Sequence, residues 1–192
     1  MKILVSGGCG YVGTMLVEDL LEIGYEVVVV DNQWFGNYLT DHDKLTVYKQ
    51  DIRDLDDQAF DKVNVLIHLA NIANDPSVEL NQSLSWEVNV LASQQLAELS
   101  IKNGLNQIIY ASSGSVYGIK NEENVTEDLP LVPISTYNKT KMVAERVFLS
   151  YQDKIKVHCV RPATVCGWSK RMRLDVSVNM LTFQALKNKK IT

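Results

Sequence analysis

The sequence predicts a doubly wound α/β domain, a parallel sheet with helices on both faces. Strand-like and helix-like segments alternate from the first residue onward, and right-handed crossovers between parallel strands put their helices on both faces of one sheet. The segment Glu26–Asp31 contains four consecutive valines, the pattern of a strand buried on both faces.

Taken in order, Lys2–Ser6 is a short β run followed by a glycine-rich turn. Val12, Leu16, Leu20 and Ile23 recur at helical spacing, and Gly24 stops that helix. Leu45–Lys49 and Val63–Leu69 read as the next strands. The spacing predicts one long helix from about Glu79 to Lys102, ended by Gly104, then a strand at Gln107–Ser112. A polar loop with Pro130 and Pro133 leads to a helix from Thr136 to Tyr151. Lys156–Arg161 is the sixth strand, closed by Pro162; Val176–Leu186 is a final helix, and Ile191–Thr192 begins a seventh strand. No repeat, low-complexity segment or linker divides the chain, so residues 1–192 read as one domain.

Composition narrows the function classes. The chain is 46% hydrophobic and 22% charged, values of an ordinary soluble protein. Its 19 basic and 23 acidic residues give a net charge of -4, and without a basic cluster neither nucleic acid nor a membrane surface is an expected partner. No apolar run approaches the roughly 18 residues of a membrane span, and MKILVSGG is too short for a signal peptide. Cys9, Cys159 and Cys166 lack metal-type spacing and read as reduced thiols of a cytoplasmic protein. His42, His68 and His158 have no acidic or cysteine companions at ligand spacing, so no metal site is expected.

The chemistry begins at Gly7, Gly10 and Gly13, a G-x-x-G-x-x-G turn between the first strand and the first helix. Such glycines allow a tight turn, close approach of a pyrophosphate, and close packing of helix on sheet. The helix N-terminus then offers free N–H groups to phosphates. Asp31 ends the second strand at close to the offset of about 20 residues expected for a ribose-binding carboxylate. It would accept the 2′-hydroxyl of NAD and repel the 2′-phosphate of NADP. Tyr137 and Lys141, four apart, share one face of a helix; Tyr137 is the only tyrosine with lysine at that spacing. An ammonium beside a phenol favours the phenolate, so the pair is expected to lower the tyrosine pKa and form an acid/base. Ser113 would bind the substrate oxygen beside it.

These residues resemble the extended short-chain dehydrogenase/reductase family, in particular its NAD-dependent nucleotide-sugar epimerase and dehydratase branch, with a Rossmann fold. The resemblance rests on Gly7-Gly8-Cys9-Gly10-Tyr11-Val12-Gly13, Val30-Asp31-Asn32, Gln50-Asp51-Ile52 and His68-Leu69-Ala70. It continues through Ser112-Ser113-Gly114-Ser115-Val116-Tyr117-Gly118, the Tyr137/Lys141 pair and Arg161-Pro162-Ala163-Thr164. It implies that Gly7, Gly10, Tyr11, Val12 and Gly13 carry the pyrophosphate of NAD and that Asp31 and Asn32 hold the adenosine ribose. Asp51 and Ile52 would flank the adenine, and Leu69, Ala70, Asn71 and Ala111 would line the cleft. Asn89 matches a family asparagine close to the cofactor. Ser113, Tyr137 and Lys141 are the implied catalytic residues, Lys141 also holding the nicotinamide ribose. Pro162 and Val165 would lie near the nicotinamide, and Asn179 would contact the substrate diphosphate.

The implied activity is epimerisation of a nucleotide sugar through a transient keto-sugar. Members that eliminate water carry an Asp-Glu pair just after the serine or threonine; Gly114-Ser115 stand there and disfavour 4,6-dehydration. The alternatives are a non-catalytic NAD-binding module and an NAD(P)-dependent sugar-nucleotide reductase or dehydratase. A homodimer through a four-helix bundle is implied, built from the long helix and the one carrying Tyr137. Relatives have a smaller C-terminal substrate region, and the sequence reads as a truncated or split chain lacking most of it. Lys170-Arg171-Met172-Arg173 reads either as a basic run near the sugar-nucleotide end or as a solvated loop. Trp34 and Phe35 read equally as adenine cover or loop anchor.

Overall fold

Alternation along the first two strands builds both cores at once, because successive side chains point to opposite faces of a sheet. Ile3, Val5, Val27 and Val29 share one buried cluster with Val17, Leu20 and Leu21, while Leu4, Val28 and Val30 belong to another with Leu66, Leu96, Ile108 and Phe148. The computed structural model describes residues 1–191. Its strands are β1 Lys2–Ser6, β2 Glu26–Asp31, β3 Leu45–Lys49, β4 Val65–His68, β5 Gln107–Ala111 and β6 Lys156–Val160. All neighbours are parallel, in the order β3-β2-β1-β4-β5-β6. This is a doubly wound sheet, as the sequence predicts, and its switch point lies between β1 and β4, where ligands bind outside the strand ends.

Helix α1, Tyr11–Glu22, supplies Val17, Leu20 and Leu21 to the first cluster. On the other face lie α2 Asp75–Leu80, α3 Gln82–Trp86, α4 Ala92–Lys102 and α5 Thr136–Leu149; α4 and α5 supply the second cluster with Leu96 and Phe148. Helix α6, Ser177–Asn188, is the last element.

The structure departs from the sequence reading at particular points. The long helix from Glu79 is broken at Asn81, whose extended backbone (φ -156°, ψ 92°) ends α2 while its side chain caps α3 by accepting from Leu84 N at 2.9 Å. A π-helical turn, Glu87–Leu91, then joins α3 to α4. No helix crosses from β2 to β3, which are linked by an irregular loop. The both-face burial expected of Glu26–Asp31 holds; β1 is buried too, whereas β3 and β6 are half-exposed edge strands. Ile191 carries no strand, and Thr192 lies outside the described residues, so the seventh strand is not seen. Among the described residues no helix is long and apolar enough to cross a membrane.

Candidate cofactor and catalytic site

The turn after β1 leaves no space for side chains except at one glycine. Gly7 takes φ +78°, and a Cβ there would stand 2.5 Å from Ala70 N, so the turn packs on the end of β4. A Cβ on Gly13 would meet Gly7 O at 2.3 Å. At Gly10 the nearest atom, Gly7 O, is 3.2 Å away. Gly10 precedes α1, whose N-terminus has no side-chain cap and whose first internal bond runs from Thr14 N to Gly10 O at 3.0 Å. The N–H groups of Tyr11, Val12 and Gly13 therefore have no helical acceptor, the arrangement that receives an anion. The Tyr11 side chain turns elsewhere: its hydroxyl donates to Gly167 O at 2.8 Å.

Asp31 closes the same turn. Oδ2 accepts from Cys9 N at 3.0 Å and Oδ1 from Gln33 N at 2.7 Å, leaving each oxygen a second lone pair. Burial and the nearby Asp31 charge push the Cys9 thiol up to about 12, so it stays protonated and inert. Asn32 accepts from Trp34 N at 3.2 Å. Asp51 is clasped by Arg53, through Nε at 3.0 Å and Nη2 at 2.8 Å; these bonds hold its carboxyl below the ordinary range. Ile52 is buried in the core.

At the end of β4, Leu69 N and Ala70 N both donate to Ser6 O at 2.9 Å. The next residue, Asn71, has both amide atoms buried without a partner. An orphaned carboxamide at the switch point, beside an uncapped helix and an open glycine, fits a dinucleotide. Asn89, in the π turn, clamps this segment by accepting from Ile72 N at 2.8 Å and donating to Ile72 O at 3.2 Å and Thr140 Oγ1 at 3.1 Å. Its amide thus orients the cleft wall. His68 bonds Ser6 Oγ at 2.6 Å, and burial pushes its pKa down to about 3, so it is a neutral core residue. Among the described residues no His, Cys, Asp or Glu cluster able to hold a metal assembles.

Ser135 caps α5 by accepting from Asn138 N at 3.2 Å, and this places Tyr137 in the first turn and Lys141 one turn on. Lys141 is buried and donates to Ala111 O at 2.7 Å, with its ammonium 4.9 Å from the Tyr110 ring centre. Burial pushes its pKa down to about 7. Ser113 caps the 3₁₀ turn Gly114–Tyr117, accepting from Ser115 N at 3.2 Å and sharing a 2.7 Å bond with Ser115 Oγ. Gly114 N donates to Pro162 O at 2.8 Å, whereas Val165 is exposed. The expected lowering of the Tyr137 pKa is corrected. Burial raises it, against the pull of the Arg173 charge and the Ser113 hydroxyl, with Asp75 raising it further.

A strap that sequence reasoning missed crosses the cleft. Ser169 Oγ donates to Tyr11 O at 2.8 Å, Lys170 contacts Glu18 and Thr40, and the Arg171 guanidinium lies 4.0 Å from the Phe35 ring centre. Lys170 and Arg171 therefore sit on the Asp31 side of the turn. Asn179 ties the strap down: its amide donates to Tyr11 Oη at 3.0 Å and Arg173 O at 2.9 Å and accepts from Gly167 N at 2.9 Å. Arg173 pairs with Asp175, which also accepts from Asn74 Nδ2 at 2.6 Å. The contacts that fasten the strap to Tyr11, Glu18, Phe35, Thr40 and Asn74 join residues more than 100 apart in sequence, and only the basic run Lys170–Arg173 hinted at them.

Comparison with known proteins agrees with this geometry. The model of the NAD dependent epimerase/dehydratase family matches residues 3–190. The UDP-glucose 4-epimerase of Lactobacillus helveticus is 31% identical over 88% of this chain and 53% of its own length. That of Bacillus subtilis is 33% identical over 77% of this chain and 47% of its length. Among solved structures, UDP-glucuronic acid 4-epimerase from Bacillus cereus in complex with NAD is 29% identical, with a TM-score of 0.87 over 100% of this chain and 64% of that one. A NAD-dependent NDP-hexosamine 5,6-dehydratase of tunicamycin biosynthesis superposes with a TM-score of 0.89 at 25% identity. The chain spans about half the length of the curated relatives it matches. By its doubly wound sheet, its glycine turn and a match running over nearly its whole length, the chain belongs to the NAD dependent epimerase/dehydratase family.

Proposed function

We propose that this chain forms the cofactor-binding and catalytic part of an NAD-dependent nucleotide-sugar epimerase working through a transient keto-sugar. The observation that carries the reading is the bond from Lys141, one turn beyond Tyr137 on α5, to the Ala111 carbonyl two residues before Ser113, beside a cleft whose helix N-terminus and Asn71 carboxamide lack partners. The Tyr11, Val12 and Gly13 N–H groups would hold the pyrophosphate, Asp31 the adenosine ribose, and Asn71 a polar atom of the cofactor. Bound NAD supplies the hydride acceptor and then the donor. Tyr137 Oη takes the proton of a sugar hydroxyl as that carbon is oxidised, and returns it once the opposite face of the ketone has been reduced. Ser113 Oγ hydrogen-bonds the reacting sugar oxygen. The Lys141 ammonium, when protonated, favours the phenolate form of Tyr137. Beside Ser113, Gly114 offers only a backbone N–H bonded to Pro162 O, and Ser115 a hydroxyl, so neither provides the acid and base of a 4,6-elimination.

The strap from Gly167 to Asp175 is bonded to Tyr11 through Gly167 O and Ser169 Oγ. A second reading, NAD binding without turnover by this chain alone, is favoured by its span of about half its relatives' length. Incubation with NAD and UDP- or GDP-sugars separates the two: an epimer seen by NMR supports the enzyme, and NAD binding without any sugar product supports the module. The same family reading carries a homodimer pairing α4 and α5 of two copies in the cytoplasm, which sedimentation of the purified chain tests.

A further inference from the structure

We propose that Glu145, Arg161 and Tyr117 form a positioning network that sets the separation between Ser113 and Tyr137. The proposal rests on the acid/base reading of those two residues and adds to it the device that holds them in register.

Tyr137, Lys141 and Glu145 follow one another at single-turn spacing on one face of α5. Glu145 is fully buried, and Arg161 engages both of its carboxylate oxygens, Nε donating to Oε2 at 3.1 Å and Nη2 to Oε1. A bidentate arginine fixes orientation as well as charge, which a lysine does not. Arg161 directly follows β6. Its Nη1 donates to Tyr117 Oη at 2.7 Å and to Glu127 O at 3.1 Å, and its guanidinium lies 4.9 Å from the Tyr117 ring centre. Tyr117 ends the 3₁₀ turn that Ser113 begins, and the residue after Arg161, Pro162, accepts from Gly114 N. One guanidinium is therefore bonded to the helix that carries Tyr137 and to the turn that carries Ser113. The hub lies behind the site, and the loop at Glu127 is tied to it as well. A buried ion pair adds little to stability compared with an apolar replacement, so its value here is the geometry it imposes.

The groups that act on the Tyr137 phenol are Ser113 from the turn, Arg173 from the strap and Asp75 from α2, and the phenol in turn acts on Tyr110 of β5. Of these, only Ser113 belongs to the segment that Tyr117 anchors. The test is NMR of the chain labelled at tyrosine Cζ, at neutral pH with saturating NAD, the Tyr137 signal being assigned by its loss in Tyr137→Phe. Ser113→Ala displaces that signal. Arg161→Lys, which keeps the charge and loses the fork, displaces it in the same direction by at least half as much. In the double variant Arg161→Lys adds nothing beyond Ser113→Ala, because coupled residues are not additive, while NAD affinity stays within about threefold of wild type. Should Arg161→Lys not fold, Tyr117→Phe removes a single oxygen and carries the same expectation. A signal unmoved by either network variant, or moved equally with and without Ser113, overturns the network while leaving the acid/base reading in place. A signal unmoved by Ser113→Ala overturns the Ser113–Tyr137 contact and the network together.

Discussion

The Lys141 ammonium is held 2.7 Å from the carbonyl of Ala111, at the end of the interior strand β5. No carboxylate offsets its burial, and its pKa falls to about 7 from an ordinary 10.5. Between those values the unfolded chain binds a proton that the folded one does not, so stability rises with pH across that window. Below about 7 both states are protonated, and the cost of the buried charge is fully present.

Lys141→Met therefore removes a pH slope. Melting temperatures measured from pH 6 to 9 should rise more steeply for wild type than for the variant, with Lys141→Met at least as stable at the acid end. Parallel curves would show that the folded lysine titrates normally.

Gly10 and Gly13 separate cofactor binding from folding. A Cβ at Gly13 meets the Gly7 carbonyl at 2.3 Å, whereas at Gly10 the same carbonyl is 3.2 Å away and φ is -76°. Gly10→Ala is expected to fold with a melting temperature within a few degrees of wild type and to lose NAD affinity by about tenfold or more, since its methyl would stand where the proposed function puts the pyrophosphate. Gly13→Ala should lower the melting temperature markedly. Calorimetric titration and thermal denaturation distinguish them, and equal NAD affinity in Gly10→Ala and wild type would place the phosphates elsewhere.

Asp31 both closes the glycine turn and faces the expected ribose. Asp31→Asn keeps one acceptor for the Cys9 or Gln33 amide but loses the charge. A hydrogen bond to an ionised group contributes about 1.5–3 kcal/mol, so NAD binding should weaken by roughly ten- to a hundredfold. The preference for NAD over NADP should narrow, because the repulsion of the 2′-phosphate is gone. Direct titration with both cofactors checks this; an unchanged NAD/NADP ratio would remove Asp31 from cofactor selection.

How much of this was legible in the sequence follows from the range of the interactions. β1, β2 and β3 match their predicted limits because apolar runs are bounded by turn residues next to them in the chain. The break at Asn81 was missed because asparagine at a cap and asparagine inside a polar helix look alike until the side chain is seen accepting from Leu84 N. The Arg161–Glu145 pair joins residues on different elements, and its burial was invisible in a spacing pattern. The Tyr137/Lys141 spacing was readable, but the direction of the phenol's shift was not. That direction depends on burial and on Arg173, thirty-six residues on and brought back by the strap.

The proton transfer assigned to Tyr137 is tested most directly by Tyr137→Phe, assayed with NAD and a UDP-sugar alongside wild type in the protein that carries this chain. The account predicts NAD affinity within about twofold of wild type and no epimer or keto-sugar, as expected when an acid/base group is removed and binding is untouched. A phenylalanine variant that turns over within a few-fold of wild type would contradict it.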